Sequence, residues 1–212
     1  MNEPVLYLIT PSRIEDLAQF AEDLKAVLEA GHGTPAEVAV LQLRLKDVSD
    51  DTVLRTAEVI APILAEADAG FLINDRADLA KKAGADGVHL GQSDGSLAEA
   101  RSLLGADKDI GVTCHGSLHL AMEAGEAGAD YVAFGAFFPT QTKEVEHHAE
   151  VETLTKWSEM STVPSVAIGG ITAQTAKGLL DAGADYLALS GAIWSHHEGP
   201  VAGLLDLARG LA

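Results

Sequence analysis

The sequence predicts a parallel α/β fold closed on itself as a (β/α)8 TIM barrel, and three observations predict it. A motif recurs: Ala83-Gly84-Ala85-Asp86, Ala127-Gly128-Ala129-Asp130 and Ala182-Gly183-Ala184-Asp185, each followed by an apolar run. Short apolar runs alternate along the chain with stretches of helical spacing, such as Leu17, Phe20, Ala21 and Leu24. The 212 residues divide into eight such units if the loops are short.

Each copy of the repeat reads as a helix ending at Gly, where left-handed backbone is cheap, then an Asp-led turn into a strand. Successive copies stand roughly two short β/α units apart, so one further unit belongs between each pair. Those strands read at Asp109 to Cys114 and Val163 to Ile168, and earlier ones at Val5 to Ile9, Val38 to Leu43 and Gly70 to Ile73. A doubly wound open sheet is the alternative. One domain over 1–212 is expected, with no linker or low-complexity segment.

The formal charge is −18, from 32 acidic and 14 basic residues, so nucleic acid and anionic membranes are poor partners. Cys114 is the one cysteine, which excludes an intrachain disulfide. The first ten residues lack a basic leader, and no apolar run spans a bilayer. A cytoplasmic setting is expected, and a homo-oligomer is left open.

In such a barrel the chemistry gathers where strands end. Strand two ends Gln42-Leu43-Arg44-Leu45-Lys46, and alternation puts Gln42, Arg44 and Lys46 on one face. Strand three ends at Asn74, Asp75 and Arg76, and strand four at Gly91-Gln92-Ser93-Asp94. Asp75 and Asp94 offer hard oxygen ligands without His or Cys, which suits Mg²⁺ completed by waters and substrate phosphates. The competing reading is that each Asp caps the next helix.

Strand six leads into Pro139-Thr140-Gln141-Thr142-Lys143, a turn with two hydroxyls and an ammonium. Strands seven and eight end at Gly169-Gly170 and Ser190-Gly191, where close backbone N–H groups suit a phosphate. Small phosphorylated ligands are therefore the expected partners. His147-His148 and His196-His197 read as solvated loop pairs, Cys114 as a packed thiol, and Trp157 and Trp194 as helix packing. His115 faces the same rim as the phosphate groups.

With these motifs in order, the chain resembles the thiamine phosphate synthase family along nearly its whole length. The matching runs are Tyr7-Leu8-Ile9-Thr10, Gln42-x-Arg44-x-Lys46, Ile73-Asn74-Asp75-Arg76, Gly87-x-His89 through Asp94, Gly111-Val112-Thr113-x-His115, Pro139-Thr140-x-Thr142-Lys143 and Ala167 to Ile171. The resemblance implies joining of hydroxymethylpyrimidine diphosphate to a thiazole phosphate with release of pyrophosphate. It also implies that Gln42, Arg44, Lys46, Asn74, Thr113 and Lys143 hold the pyrimidine diphosphate. Asp75 and Asp94 would hold Mg²⁺, and Thr140, Thr142, Gly170 and the Ser190-Gly191 backbone the thiazole phosphate. Arg44, Lys46 and Lys143 would act as the catalytic cations.

The residue chemistry agrees with that reaction. Breaking a C–O bond to diphosphate builds charge on the leaving group, which a metal and fixed cations stabilise more in the transition state than in the substrate. The pyrimidine can share the positive charge, so no protein nucleophile is needed. The chain departs from the family's usual residues at Thr113, Ala136, Gly191 and the Gly-free segment from Glu144 to Glu150. That segment is expected to cover the site by bending near Ala149. Two other readings are kept: a thiazole tautomerase using His115 as acid–base, and a non-catalytic barrel that binds thiamine precursors.

Overall fold

The structure, a computed structural model, describes residues 5–140 and 147–212. Eight parallel strands close into a barrel in sequence order: β1 (Leu6–Ile9), β2 (Val38–Leu43), β3 (Gly70–Asn74), β4 (Gly87–Leu90), β5 (Asp109–His115), β6 (Tyr131–Gly135), β7 (Ser165–Ile168) and β8 (Tyr186–Leu189). The pairing of β8 with β1, Leu187 with Leu6 through Leu189 with Leu8, completes the closure. This excludes the open sheet. The helices are α1 (Leu17–Gly31), α2 (Asp50–Glu66), α3 (Ala77–Ala83), α4 (Leu97–Leu104), α5 (Leu118–Glu126), α6 (Val151–Met160), α7 (Ala176–Asp181), α8 (Gly191–Trp194) and α9 (Pro200–Leu211). Among the described residues, no helix is long and apolar enough to cross a membrane.

The five strands with expected bounds, β1, β2, β3, β5 and β7, begin and end within two residues of them. The largest difference is β7, which starts at Ser165 rather than Val163. Pro164 has no N–H to give to a ladder, and the Val163 N–H turns to the Ser161 hydroxyl.

The recurring Ala-Gly-Ala-Asp motif has a defined task. Gly84, Gly128 and Gly183 take positive φ of 67°, 90° and 102° as α3, α5 and α7 end. The next Asp then bonds twice to one residue of the preceding strand. Asp86 N–H donates to Phe71 O while its carboxylate accepts the Phe71 N–H at 2.9 Å. Asp130 does the same to Ile110, with the carboxylate bond at 2.7 Å, and Asp185 to Ser165, also at 2.7 Å. The three locks fasten β3 to β4, β5 to β6 and β7 to β8 at the bottom of the barrel.

Two apolar compartments follow from strand alternation. Leu6, Leu8, Leu41, Leu43, Ile73, Ile110, Val132, Phe134 and Leu187 face outward and pack beneath the helices. Cys114 lies among them, fully buried, and burial pushes its thiol up to about 12. Trp157 meets Phe134 edge-on and donates to Val163 O, while Trp194 donates to Ile9 O, so both pack helices onto the barrel as expected.

The inward set is different in kind. Tyr7, Ile9, Leu72, Tyr131, Ala133, Val166 and Ala188 fill the barrel axis. A side chain at Gly111 would collide with the Tyr131 ring, so this glycine opens the space the tyrosine occupies. The Tyr7 and Tyr131 hydroxyls share a hydrogen bond of 2.8 Å, Tyr131 Oη lies 2.9 Å from His89 Nδ1, and His89 Nε2 lies 2.8 Å from Thr113 Oγ1. Burial pushes both phenols above their ordinary range.

Asp185→Ala should lower stability by about 1–2 kcal/mol, because it strands the Ser165 N–H and leaves the Ser165 hydroxyl only the Gly183 carbonyl, and Asp185→Asn should cost less because its amide oxygen still accepts. Denaturant unfolding measures the difference; equal losses for the two variants would mean that the lock acts through charge and not through accepted hydrogen bonds.

Candidate active site at the barrel mouth

The expected diphosphate side is built where β2, β3 and β4 end. β2 stops at Leu43, but the chain stays aligned with the segment after β1: Arg44 N–H donates to Thr10 Oγ1 at 2.9 Å, and Lys46 N–H to Ser12 O at 2.9 Å. Alternation therefore continues past the strand, as read from the sequence. Gln42 is buried and its amide donates to Asn74 Oδ1 at 3.1 Å, joining β2 to β3. Among the described residues, Arg44 Nη1 is a buried nitrogen with no hydrogen-bond partner. Burial draws the Arg44 guanidinium below its ordinary value, and Asp75 pulls it back.

Asp75 has positive φ, 64°, a conformation Asp tolerates better than most residues. Its N–H donates to His89 O at 2.8 Å, which turns the carboxyl away from the ladder. Burial, the charge of Asp94 and a hydrogen bond to Asp94 raise the Asp75 carboxyl to about 6, against the pull of Arg44 and Lys46. The two carboxyls are thus in contact across adjacent strand ends, beside both cations. The helix-cap alternative fails for both. α3 is entered through Arg76 without a side-chain cap, and α4 is capped by Ser96 in a reciprocal pair with Glu99. Arg76 points elsewhere, to Asp50 and Asp78. No group of three or more His, Cys, Asp or Glu that could hold a metal occurs among the described residues.

Thr113 lies on β5 with its hydroxyl against His89, and its carbonyl accepts the Gln92 amide at 2.6 Å. The register between β5 and β6 shifts between Thr113 and His115, and His115 has positive φ, 53°. Its ring lies 4.3 Å from that of His147, centre to centre. His147 is exposed, as expected of a solvated loop residue, and the ring contact with His115 is an addition to that reading. The solvated reading is corrected for His196 alone, whose side chain is mostly buried and 3.3 Å from Asp206; His197 is exposed as expected.

The expected phosphate side lies where β6, β7 and β8 end. Phe137 N–H donates to Ile168 O and Phe138 N–H to Gly169 O, both at 3.1 Å, laying the loop that carries Thr140 onto the two glycines. A side chain at Gly170, where φ is 65°, would strike the Pro139 and Phe138 carbonyls. Ser190 precedes α8, and its hydroxyl donates to Thr10 O at 3.4 Å; Gly191 opens that helix. Thr142 and Lys143 lie outside the described residues, as do 144–146 of the expected cover. Ala149, where the bend is expected, is held by its backbone. Ala149 is buried and donates to Ala136 O at 3.0 Å, while Ala136 donates to His147 O at 3.2 Å.

Two participants escaped the sequence reading. Thr10, in sequence only the last residue of a motif, is fully buried and holds both the Arg44 N–H and the Ser190 hydroxyl. His89 was given no role, though inward parity on β4 was legible and a buried inward imidazole needs partners.

A family model described as thiamine monophosphate synthase matches residues 6–193. The thiamine-phosphate synthase of Rhodospirillum centenum is 54% identical over 209 residues, covering 99% of this chain and 98% of that protein. That of Erythrobacter litoralis is 50% identical over 195 residues, covering 91% and 89%. The solved thiamine phosphate pyrophosphorylase from Pyrococcus furiosus aligns with a TM-score of 0.84 at 30% identity, covering 99% of this chain and 96% of that one. Orotidine 5'-phosphate decarboxylase from Pyrococcus horikoshii, at 15% identity and a TM-score of 0.67, shares the fold alone. With a family match over most of its length and relatives this similar, the chain belongs to the thiamine monophosphate synthase family.

Proposed function

We propose that this chain, as a transferase of that family, carries out the thiamine-phosphate synthase reaction with its charge handled at the ends of β2, β3 and β4. The observation that carries this reading is the contact of Asp75 and Asp94 beside Arg44 and Lys46, with Arg44 Nη1 buried and unpartnered among the described residues. A buried guanidinium nitrogen without an acceptor is costly, and a diphosphate oxygen would satisfy it.

In the reaction, the bond between the pyrimidine methylene and the diphosphate oxygen breaks, and its electron pair leaves with pyrophosphate. The thiazole nitrogen supplies the pair for the new C–N bond. Arg44, Lys46 and Lys143 stabilise the charge gathering on the leaving group. Gln42, Asn74 and Thr113 orient the pyrimidine diphosphate. Thr140, Thr142, Gly170 and the Ser190-Gly191 backbone hold the thiazole phosphate. A like-charged carboxyl pair, one member raised to about 6, fits a hard divalent cation, and Asp75 and Asp94 would hold Mg²⁺. When bound, Mg²⁺ would neutralise leaving-group charge. The proposed setting is the cytoplasm, and the partners are the phosphorylated substrates.

Purified protein with hydroxymethylpyrimidine diphosphate, thiazole phosphate and Mg²⁺ should yield thiamine phosphate and pyrophosphate. Asp94→Ala should reduce turnover by about 10²-fold or more, and His115→Ala should keep most of it. The reverse ranking would instead support acid–base work at His115 and sink these assignments.

Asp75→Asn should lose turnover yet stabilise the metal-free protein. Because the folded-state value is raised, the native state holds the proton more tightly, so wild-type stability falls as pH rises from about 4 to about 6. Above that window the penalty is complete. Asparagine escapes it and should gain roughly 1 kcal/mol at pH 8, after discounting for partial exposure. Thermal melts in chelator measure this; an unchanged or lower midpoint would mean that Arg44 and Lys46 already offset the carboxyl pair.

A further inference from the structure

The file of polar groups along the barrel axis admits a proton count. Tyr7 and Tyr131 bring one hydroxyl proton each, Thr113 brings one, and a neutral His89 brings one on either ring nitrogen. Tyr7 is buried, and among the described residues its hydroxyl has a single hydrogen-bond partner, Tyr131. Tyr131 has two among the same residues, Tyr7 and His89 Nδ1.

Suppose that His89 carried its proton on Nδ1. It would donate to Tyr131, and Tyr131 could then donate only to Tyr7. The Tyr7 proton would have no acceptor. If Tyr7 donated to Tyr131 as well, the Tyr131 proton would be stranded instead. Either way a buried hydroxyl is left unsatisfied, which native interiors avoid. One arrangement leaves nothing stranded.

We infer that the file is polarised in one direction: Tyr7 donates to Tyr131, Tyr131 donates to His89 Nδ1, and His89 Nε2–H donates to Thr113 Oγ1. Thr113 then keeps its own proton for an acceptor in the barrel mouth. Its carbonyl is taken by the Gln92 amide, so the residue is held from both sides. With His89 donating to it, the hydroxyl is a better donor and a poorer acceptor. It therefore favours acceptor-only groups, such as a diphosphate oxygen, over ligand groups that donate. Tyr7, Tyr131 and His89 are positioning residues that act through Thr113. The direction begins at Tyr7, on a strand sequence-distant from Thr113, and rests on the Gly111 gap that admits the Tyr131 ring.

The ligand side of this inference rests on the reading of Thr113 as a diphosphate contact, so the test separates the two. In ¹⁵N-histidine-labelled free protein, with His89 identified by its absence from His89→Gln, long-range ¹H–¹⁵N couplings should show the Nε2–H tautomer. Tyr131→Phe, which keeps the ring, and Thr113→Val should each lower kcat/KM for hydroxymethylpyrimidine diphosphate about tenfold. Thr113→Ser should recover most of the loss seen in Thr113→Val. The double variant Tyr131→Phe/Thr113→Val should be no slower than Thr113→Val alone, since both remove one oriented donor. An Nδ1–H tautomer overturns the polarity outright. Losses that multiply in the double variant overturn the claim that Tyr131 acts through Thr113. An Nε2–H tautomer with unchanged kcat/KM in Thr113→Val upholds the polarity and overturns the proposed diphosphate contact.

Discussion

Closure between β1 and β8 is the constraint on which the mouth depends. It brings Thr10, at the end of β1, between the ends of β2 and β8. There the Thr10 side chain accepts the Arg44 N–H and its carbonyl accepts the Ser190 hydroxyl. One buried residue thus ties the side carrying the two strand-end cations to the side carrying the Ser190-Gly191 turn. An open sheet would leave those turns on opposite edges, far apart. A closed sheet makes their separation a fixed length, which a reaction between two differently anchored substrates requires.

The barrel interior solves a related problem. Inward positions must be filled, since a barrel of eight strands is a packed core rather than a pore. Here much of the filling is polar: two phenols, an imidazole and a hydroxyl in one hydrogen-bonded file. An apolar filling would pack as well but would carry no direction from the core to the mouth. The file extends the rigid interior to a side chain at the rim.

The fold was legible because its cause is local and repeated. The Ala-Gly-Ala-Asp motif shows a helix stop, a turn and a strand start in a few residues, and three copies set the rhythm of the remaining units. The charged site was legible for a similar reason: Gln42, Arg44 and Lys46 are spaced by two, and the chain beyond β2 keeps that alternation through bonds to Thr10 and Ser12. What stayed hidden depends on partners distant in sequence. The contacts of Tyr7 with Tyr131, and of His115 with His147, arise only once the barrel closes and the loops fold over its rim. The pinning of Ala149 to Ala136 is likewise a backbone event with no side-chain signature. The capping competition between Asp75, Asp94 and their neighbours was decided by Ser96 and Glu99, which form a reciprocal cap downstream of Asp94.

The locks at the bottom of the barrel have a consequence for how the chain can be divided. Each Asp fastens its strand to the one just before it, so the molecule is stitched in consecutive pairs: β3 with β4, β5 with β6, β7 with β8. The loop between α4 and β5 runs between two such pairs. A backbone nick there leaves Asp86 with Phe71 on one fragment and Asp130 with Ile110 on the other. A nick between α5 and β6 would part Asp130 from Ile110. A cut between α4 and β5 therefore keeps all three locks whole, and what the two fragments must rebuild across it is the pairing of β4 with β5, the bond from the Asp109 N–H to Asp86 O and the reach of Arg101 to Asp130.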